Sequence, residues 1–199
     1  MRIERVGPED WAQLREVRLR MLRDTPIAYQ ETYEQALELE ESNWRARAAR
    51  AAWPGSLGVV AVGPDGEWAG HMGACRVGPG QVMLLSVWVA PEHRGRSANV
   101  ADRLLDAVLE WARADTAAQA AIERTPADPA PADKTPADGT PAEKTPADPP
   151  RMLLEVHETN ARAIAFYTRR GFRRTGRTHP YPLDPGTREI EMDRPLQER

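Results

Sequence analysis

The chain has 199 residues, 30 acidic against 27 Lys and Arg, a net charge of −3 and 41% hydrophobic residues. That length bounds it to one domain, or one domain with an appendage, and suffices to bury a core. A single cysteine, Cys75, excludes an intrachain disulfide or a Cys-cluster metal site, and no apolar run approaches the roughly 20 residues of a membrane span.

The N-terminal stretch Met1–Val6 has no apolar h-region, so no signal peptide is predicted and the expected compartment is the cytoplasm. The charge is unevenly placed. Residues 125–150 hold Asp128, Asp133, Asp138, Glu143 and Asp148 against Lys134 and Lys144, which accounts for the whole net charge. A neutral remainder argues against nucleic acid as a partner, because non-specific binding draws on a basic surface. No membrane partner is expected either.

In chain order, Arg2–Val6 alternates and predicts a strand. Pro8-Glu9-Asp10 then opens a helix, with Pro in the first turn and acids at the positive end. Its stripe is Trp11, Leu14, Val17, Arg18, Met21 and Leu22, ending before Pro26. Glu31–Ala52 reads as a second helical region with Trp44 inward. Ser56–Val62 and Glu67–Val77 are strands joined by the turn Gly-Pro-Asp-Gly at 63–66. Val82–Val89 is a buried strand, and Val100–Ala114 a helix with Val100, Leu104, Leu105, Val108 and Trp111 on one face.

Residues 125–149 are five pentads of the type Thr-Pro-Ala-Asp-Pro. Their side chains bury little apolar surface and their prolines forbid helix and sheet, so a disordered, low-complexity insertion over 115–150 is expected. Met152–Val156 is then a strand and Asn160–Arg170 a helix closed by Gly171. A hairpin of Arg173–His179 and Arg188–Met192 ends the chain.

One stretch carries chemistry: Leu84-Leu85-Ser86-Val87-Trp88-Val89-Ala90-Pro91-Glu92-His93-Arg94-Gly95-Arg96-Ser97-Ala98-Asn99-Val100-Ala101. It reads as a buried strand, a turn, a basic Gly-containing loop and a helix N-terminus. Free N–H groups at a helix start bind anions, and Arg94 and Arg96 add bidentate phosphate donors. A pyrophosphate is the ligand this suits; an exposed basic turn with its arginines in water is the alternative.

Val89-Ala90-Pro91-Glu92-His93-Arg94-Gly95-Arg96 resembles the start of the phosphate motif of the GCN5-related N-acetyltransferase (GNAT) family. The block Asn160-x-x-Ala163-x-x-Phe166-Tyr167-x-x-x-Gly171-Phe172 is similar to a second motif of that family, in the right order. The resemblance implies an α/β fold, a mixed, mostly antiparallel central sheet flanked by helices on both faces, and a single domain over 1–199. It also implies acetyl-CoA as the acetyl-donor cosubstrate, with no metal.

By the same resemblance, the backbone of Val87, Trp88 and Val89 pairs with the pantetheine arm, and Asn160 hydrogen-bonds it. The pyrophosphate lies on Arg94, Gly95, Arg96, Ser97, Ala98, Asn99, Val100 and Ala101. Tyr167 protonates the leaving thiolate; a phenol of pKa about 10 carries the proton this needs at pH 7. A core aromatic beside Phe166 is the other reading of Tyr167, and a plain N-cap the other reading of Asn160. Ser97 stands where the family has Gly. Counting from the left puts Asn99 at the motif's last small residue, while counting back from Leu104 and Leu105 puts Ala101 there in a loop two residues longer. The second register keeps the apolar stripe inward.

The implied reaction is direct transfer of acetyl from acetyl-CoA to a primary amine of a small molecule or peptide, its oxyanion held by backbone N–H groups. A homodimer is a family habit. A non-catalytic acyl-CoA-binding regulatory module is the alternative from another class. The central strand has no carboxylate for a general base. Gln81, Glu31, Glu34, Glu155, His157 and His179 are near the expected cleft, and none is singled out. His71 and Cys75 are expected to pack, and four histidines without ligand spacing give no support for zinc.

Overall fold

The computed structural model describes residues 1–95, 99–124 and 149–197. The Thr-Pro-Ala-Asp pentads, apart from Pro149, and Arg96, Ser97 and Ala98 of the basic loop lie outside the described residues.

Strands β1 (Arg2–Arg5), β2 (Ser56–Val62), β3 (Trp68–Gly78), β4 (Gln81–Val89), β5 (Arg151–His157), β6 (Arg173–Tyr181) and β7 (Asp184–Pro195) form one sheet in the order β1-β2-β3-β4-β5-β7-β6. Every neighbouring pair is antiparallel except β4 with β5. The helices are α1 (Trp11–Asp24), α2 (Tyr33–Leu37), α3 (Glu41–Ala51), α4 (Val100–Arg124) and α5 (Ala161–Arg169).

Strand alternation sends successive side chains to opposite faces. On β2, Val59 and Ala61 meet Leu104, Leu105 and Val108 of α4, while Val60 and Val62 meet Val17 and Met21 of α1 and Trp44 of α3. Two cores sandwich the sheet, which is why β2 is apolar at nearly every position. Gly70 of β3 permits the close seating of α4. A Cβ there would lie 3.0 Å from both the Leu104 side chain and the Trp88 carbonyl oxygen.

The structure corrects three boundaries. The second helical region is two helices, α2 and α3, interrupted at 38–40. The buried stripe of α4 runs through Leu109 and Ala112, and Trp111 is only partly buried at its margin. α4 also continues ten residues beyond Ala114, so 115–124 is helix rather than insertion. Alanine-rich sequence favours helix there, and Asp115 is fixed to β3 by a bidentate pair with Arg76 at 2.6 and 2.9 Å.

Trp44 is 1% exposed, and its indole N–H has no hydrogen-bond partner among the described residues. Trp44→Phe removes ring volume and that unpaired donor together. An unsatisfied buried donor costs roughly 1–3 kcal/mol, so the net change in unfolding free energy should stay within about 1 kcal/mol. Trp44→Ala should cost about 3–5 kcal/mol. Urea unfolding of the two variants checks the contrast.

Candidate active site

Parallel pairing between β4 and β5 is confined to Gln81–Arg151, Val82–Met152 and Met83–Leu153. Beyond it, β4 runs on to Val89 and β5 to His157, and a cleft of about 450 Å³ lies between them. Leu84–Val89 lines one wall, Glu155–His157 the other, and Asn160, Ala163 and Tyr167 of the α5 region complete it.

A bulge shapes the β4 wall. Gly73 pairs with Leu85 but His71 with Trp88, so β4 carries one extra residue, and Ser86 adopts φ 52. A non-glycine residue there is strained unless its surroundings hold it. The support is His71, fully buried, whose Nδ1 lies 3.2 Å from the Ser86 carbonyl. Burial lowers the His71 pKa to about 4, so the ring is neutral at physiological pH and Nδ1–H donates. His71 is structural, as expected from sequence.

A roof crosses the cleft after α1, and sequence reading missed it. The Tyr29 hydroxyl donates to the Val87 carbonyl at 3.2 Å, under the Arg18 guanidinium at 4.6 Å from its ring. Gln30 donates to Glu189 at 2.6 Å, and the Tyr181 hydroxyl donates to the Tyr29 carbonyl at 2.7 Å. Tyr29, Gln30 and Glu189 all line the cleft. No local pattern marks them. Glu189 alternates with Ile190 and so reads as a solvent-facing residue; an aromatic just after a Pro turn was the only available hint of Tyr29.

Among the residues singled out from sequence, Val87, Trp88, Val89, Arg94, Ala101, Asn160 and Tyr167 line the cleft. The Trp88 side chain itself is buried in the α1 core. The Asn160 side-chain Oδ1 accepts from the Ala163 N–H at 3.2 Å, so Asn160 caps α5 at the cleft wall. Tyr167 is 6% exposed, flanked by Phe166 and Phe172, and burial pushes its pKa above the usual phenol value.

At Arg94 the basic loop departs from the alternative reading of an exposed turn with its arginines in water. Arg94 does not stand free in water: its Nε donates to the Val89 carbonyl at 2.7 Å and its terminal nitrogen bonds Asp24. Gly95 has φ 122, and Asn99, at φ 49, directly precedes α4. Asn is the side chain that best tolerates that left-handed conformation. Val100 is buried in the core while Ala101 faces the cleft, which is the helix phase of the longer-loop register. Exposed Arg162, at the start of α5, adds a cation to the cleft alongside Arg94 and Arg18.

Other sequence candidates are engaged elsewhere. Burial would raise the Glu31 carboxyl, but hydrogen bonds from Arg47 and Arg18 outweigh it and hold the group below its ordinary value. Glu34 is exposed on α2. Cys75 is half-buried, and burial pushes its thiol up. Among the described residues no group of three His, Cys, Asp or Glu could hold a metal ion. Nor is any described helix long and apolar enough to cross a membrane.

A seven-stranded sheet with helices on both faces, split between two parallel strands above a helix N-terminus, is the architecture of an acyl-CoA-dependent N-acetyltransferase. The chain matches the Acetyltransferase (GNAT) family over residues 18–130, more than half its length, and it belongs to that family. No curated protein matches it.

Solved structures agree on the fold. A GNAT-superfamily phosphinothricin acetyltransferase from Sinorhizobium meliloti, in complex with acetyl-CoA, is 16% identical. It superposes with a TM-score of 0.67 over 99% of this chain and 89% of its own. A ribosomal-protein-alanine N-acetyltransferase from Brucella melitensis is 17% identical, with a TM-score of 0.67 over 98% of this chain and 99% of its own. A nourseothricin acetyltransferase is 26% identical, with a TM-score of 0.51 over 72% of this chain and 67% of its own.

Proposed function

We propose that the chain transfers acetyl from acetyl-CoA to a primary amine of a small molecule or peptide, by direct attack and without an acyl-enzyme. The observation that carries this reading is the cleft opened where β4–β5 pairing ends, with Tyr167 on its wall and an unpaired strand edge facing it. Extended pantetheine suits that edge, because its amides can replace the missing ladder hydrogen bonds. The phosphates would lie at the α4 start, drawn by the helix N-terminus and by Arg94 and Arg162. Tyr167 is the proton donor to the leaving sulfur in this reading, and Asn160 a pantetheine contact.

The test is release of CoA thiol from acetyl-CoA across a panel of primary amines, secondary amines and alcohols. Release that depends on a primary amine is the expected result. Acetyl-CoA binding without release on any acceptor would instead support the non-catalytic module. A stoichiometric burst of thiol without acceptor would overturn direct transfer.

A further inference from the structure

Acetyl transfer to an ammonium requires a group that takes a proton before nitrogen can attack. The cleft wall formed by β5, β7 and the roof offers few such groups. Both His157 nitrogens are committed: Nδ1 accepts from the Thr159 N–H, and Nε2 lies 3.0 Å from the Thr187 hydroxyl, which itself donates to the Asp184 carbonyl. His179 is half-exposed and 3.8 Å from Glu155. Among the residues lining the cleft, the carboxylates are Glu155, exposed, and Glu189, 6% exposed.

We infer that Glu189 is the general base, taking the proton of the acceptor ammonium inside the cleft. This rests on the acetyl-to-amine reading above. Cross-strand pairing sets Glu189 between His157 of β5 and His179 of β6. Its Oε2 is held by Gln30, and among the described residues its Oε1 accepts no hydrogen bond. One oxygen is therefore positioned and the other is open to a substrate. Several groups set its proton affinity. Burial pushes its pKa up and Gln30 opposes; Glu155 raises it further, while His157 and His179 pull it down. Tyr181 of β6 also feels its charge. The net rise moves a carboxylate toward the pKa of an effective base near neutrality.

The proton balance closes. Glu189 takes one proton from R–NH3+, and the freed lone pair forms the C–N bond. The C–S bond breaks as the second nitrogen proton passes through the Tyr167 hydroxyl to the departing sulfur, so no free phenolate forms, and Glu189 gives its proton to water. The sum is amide, CoA–SH and one proton.

Glu189→Gln keeps the shape and an acceptor for Gln30. With an amine from the panel, kcat at pH 7 should fall by about 10²–10⁴, with the acetyl-CoA Kd within about twofold. The defect should shrink as pH approaches the amine's own pKa, where free amine needs no base. A raised KM with unchanged kcat would make Glu189 an ammonium-binding group and overturn the inference, as would a defect independent of pH. If the wild type binds acetyl-CoA but turns over no amine, the reading beneath falls; if wild type and variant turn over equally, only the base assignment falls. Gln30→Ala keeps the test open should Glu189→Gln not fold. Losing that hydrogen bond should move the acid limb of kcat/KM to higher pH, and an unmoved limb would overturn the assignment.

Discussion

Tyr167→Phe is expected to lower kcat about 10²-fold, with acetyl-CoA affinity and thermal stability nearly unchanged. The substitution keeps the ring, and with it the edge contacts to Phe166 at 5.4 Å and Phe172 at 5.7 Å between centroids. Only the hydroxyl goes, and among the described residues that hydroxyl makes no hydrogen bond, so no buried partner is orphaned. Proton transfer by a positioned group is worth about 10²–10⁴. Two facts place the effect at the low end. Burial raises the Tyr167 pKa, while a thiol ionises near 8.5. The phenol is therefore always protonated at physiological pH, but full transfer to sulfur is uphill, and much of its contribution is a hydrogen bond to the departing thiolate. Steady-state kinetics with calorimetric acetyl-CoA titration checks this. Full activity in the Phe variant would sink the role, and a large drop in Tm would favour pure packing.

Asp24→Ala should cost about 2–3 kcal/mol, or roughly 4–12 °C in Tm. The Asp24 carboxylate, at the end of α1, accepts from Arg94, from the Trp88 indole N–H at 2.9 Å and from the Thr25 hydroxyl at 2.9 Å. Its removal deprives three donors of their acceptor beside a core. Side chains of Asp24 and Arg94 are 18% and 20% exposed, which keeps the loss at or below the lower end of the 3–5 kcal/mol typical of a broken buried pair. The cost has a pH signature. Burial alone would raise the Asp24 carboxyl, but hydrogen bonds from Arg94, Thr25 and Trp88 outweigh it and lower the folded pKa. The stabilisation is thus fully present above the unfolded value of about 3.9 and is lost as pH falls through the lower folded value. Denaturant melts of wild type and variant should converge in that acid range. A gap that persists well below the folded pKa would assign the loss to packing.

That junction also engages Arg94, which stays a phosphate ligand in the proposed function. A basic residue beside Gly in a loop reads as a free phosphate donor, because its sequence neighbours offer it no partner. Its acceptor is 70 residues away, at the end of a helix that packs beside β4 in the fold. Any phosphate contact by Arg94 must come from a guanidinium already fixed at one side. That favours a preset geometry over a mobile arm, and it lets Arg162 supply charge that sequence reading did not anticipate.

The sequence by itself determined the elements whose signals lie within a few residues. β2 is found at its expected limits, the apolar stripe of α4 at its expected phase, Asn160 as the cap of α5, and Gly171 at φ 85 as its stop. Periodicity, caps and turn residues act over one or two turns, so local order suffices to read them. Tertiary structure alone decided where β4 and β5 part, how His71 holds the Ser86 bulge, and which polar groups meet at the cleft. Glu189 lies 159 residues from Gln30, and Tyr29 lies 58 from Val87. Such pairs have no sequence period, since they exist only where packed layers bring distant backbone together. A strand's polar face looks the same in sequence whether water or a roof covers it.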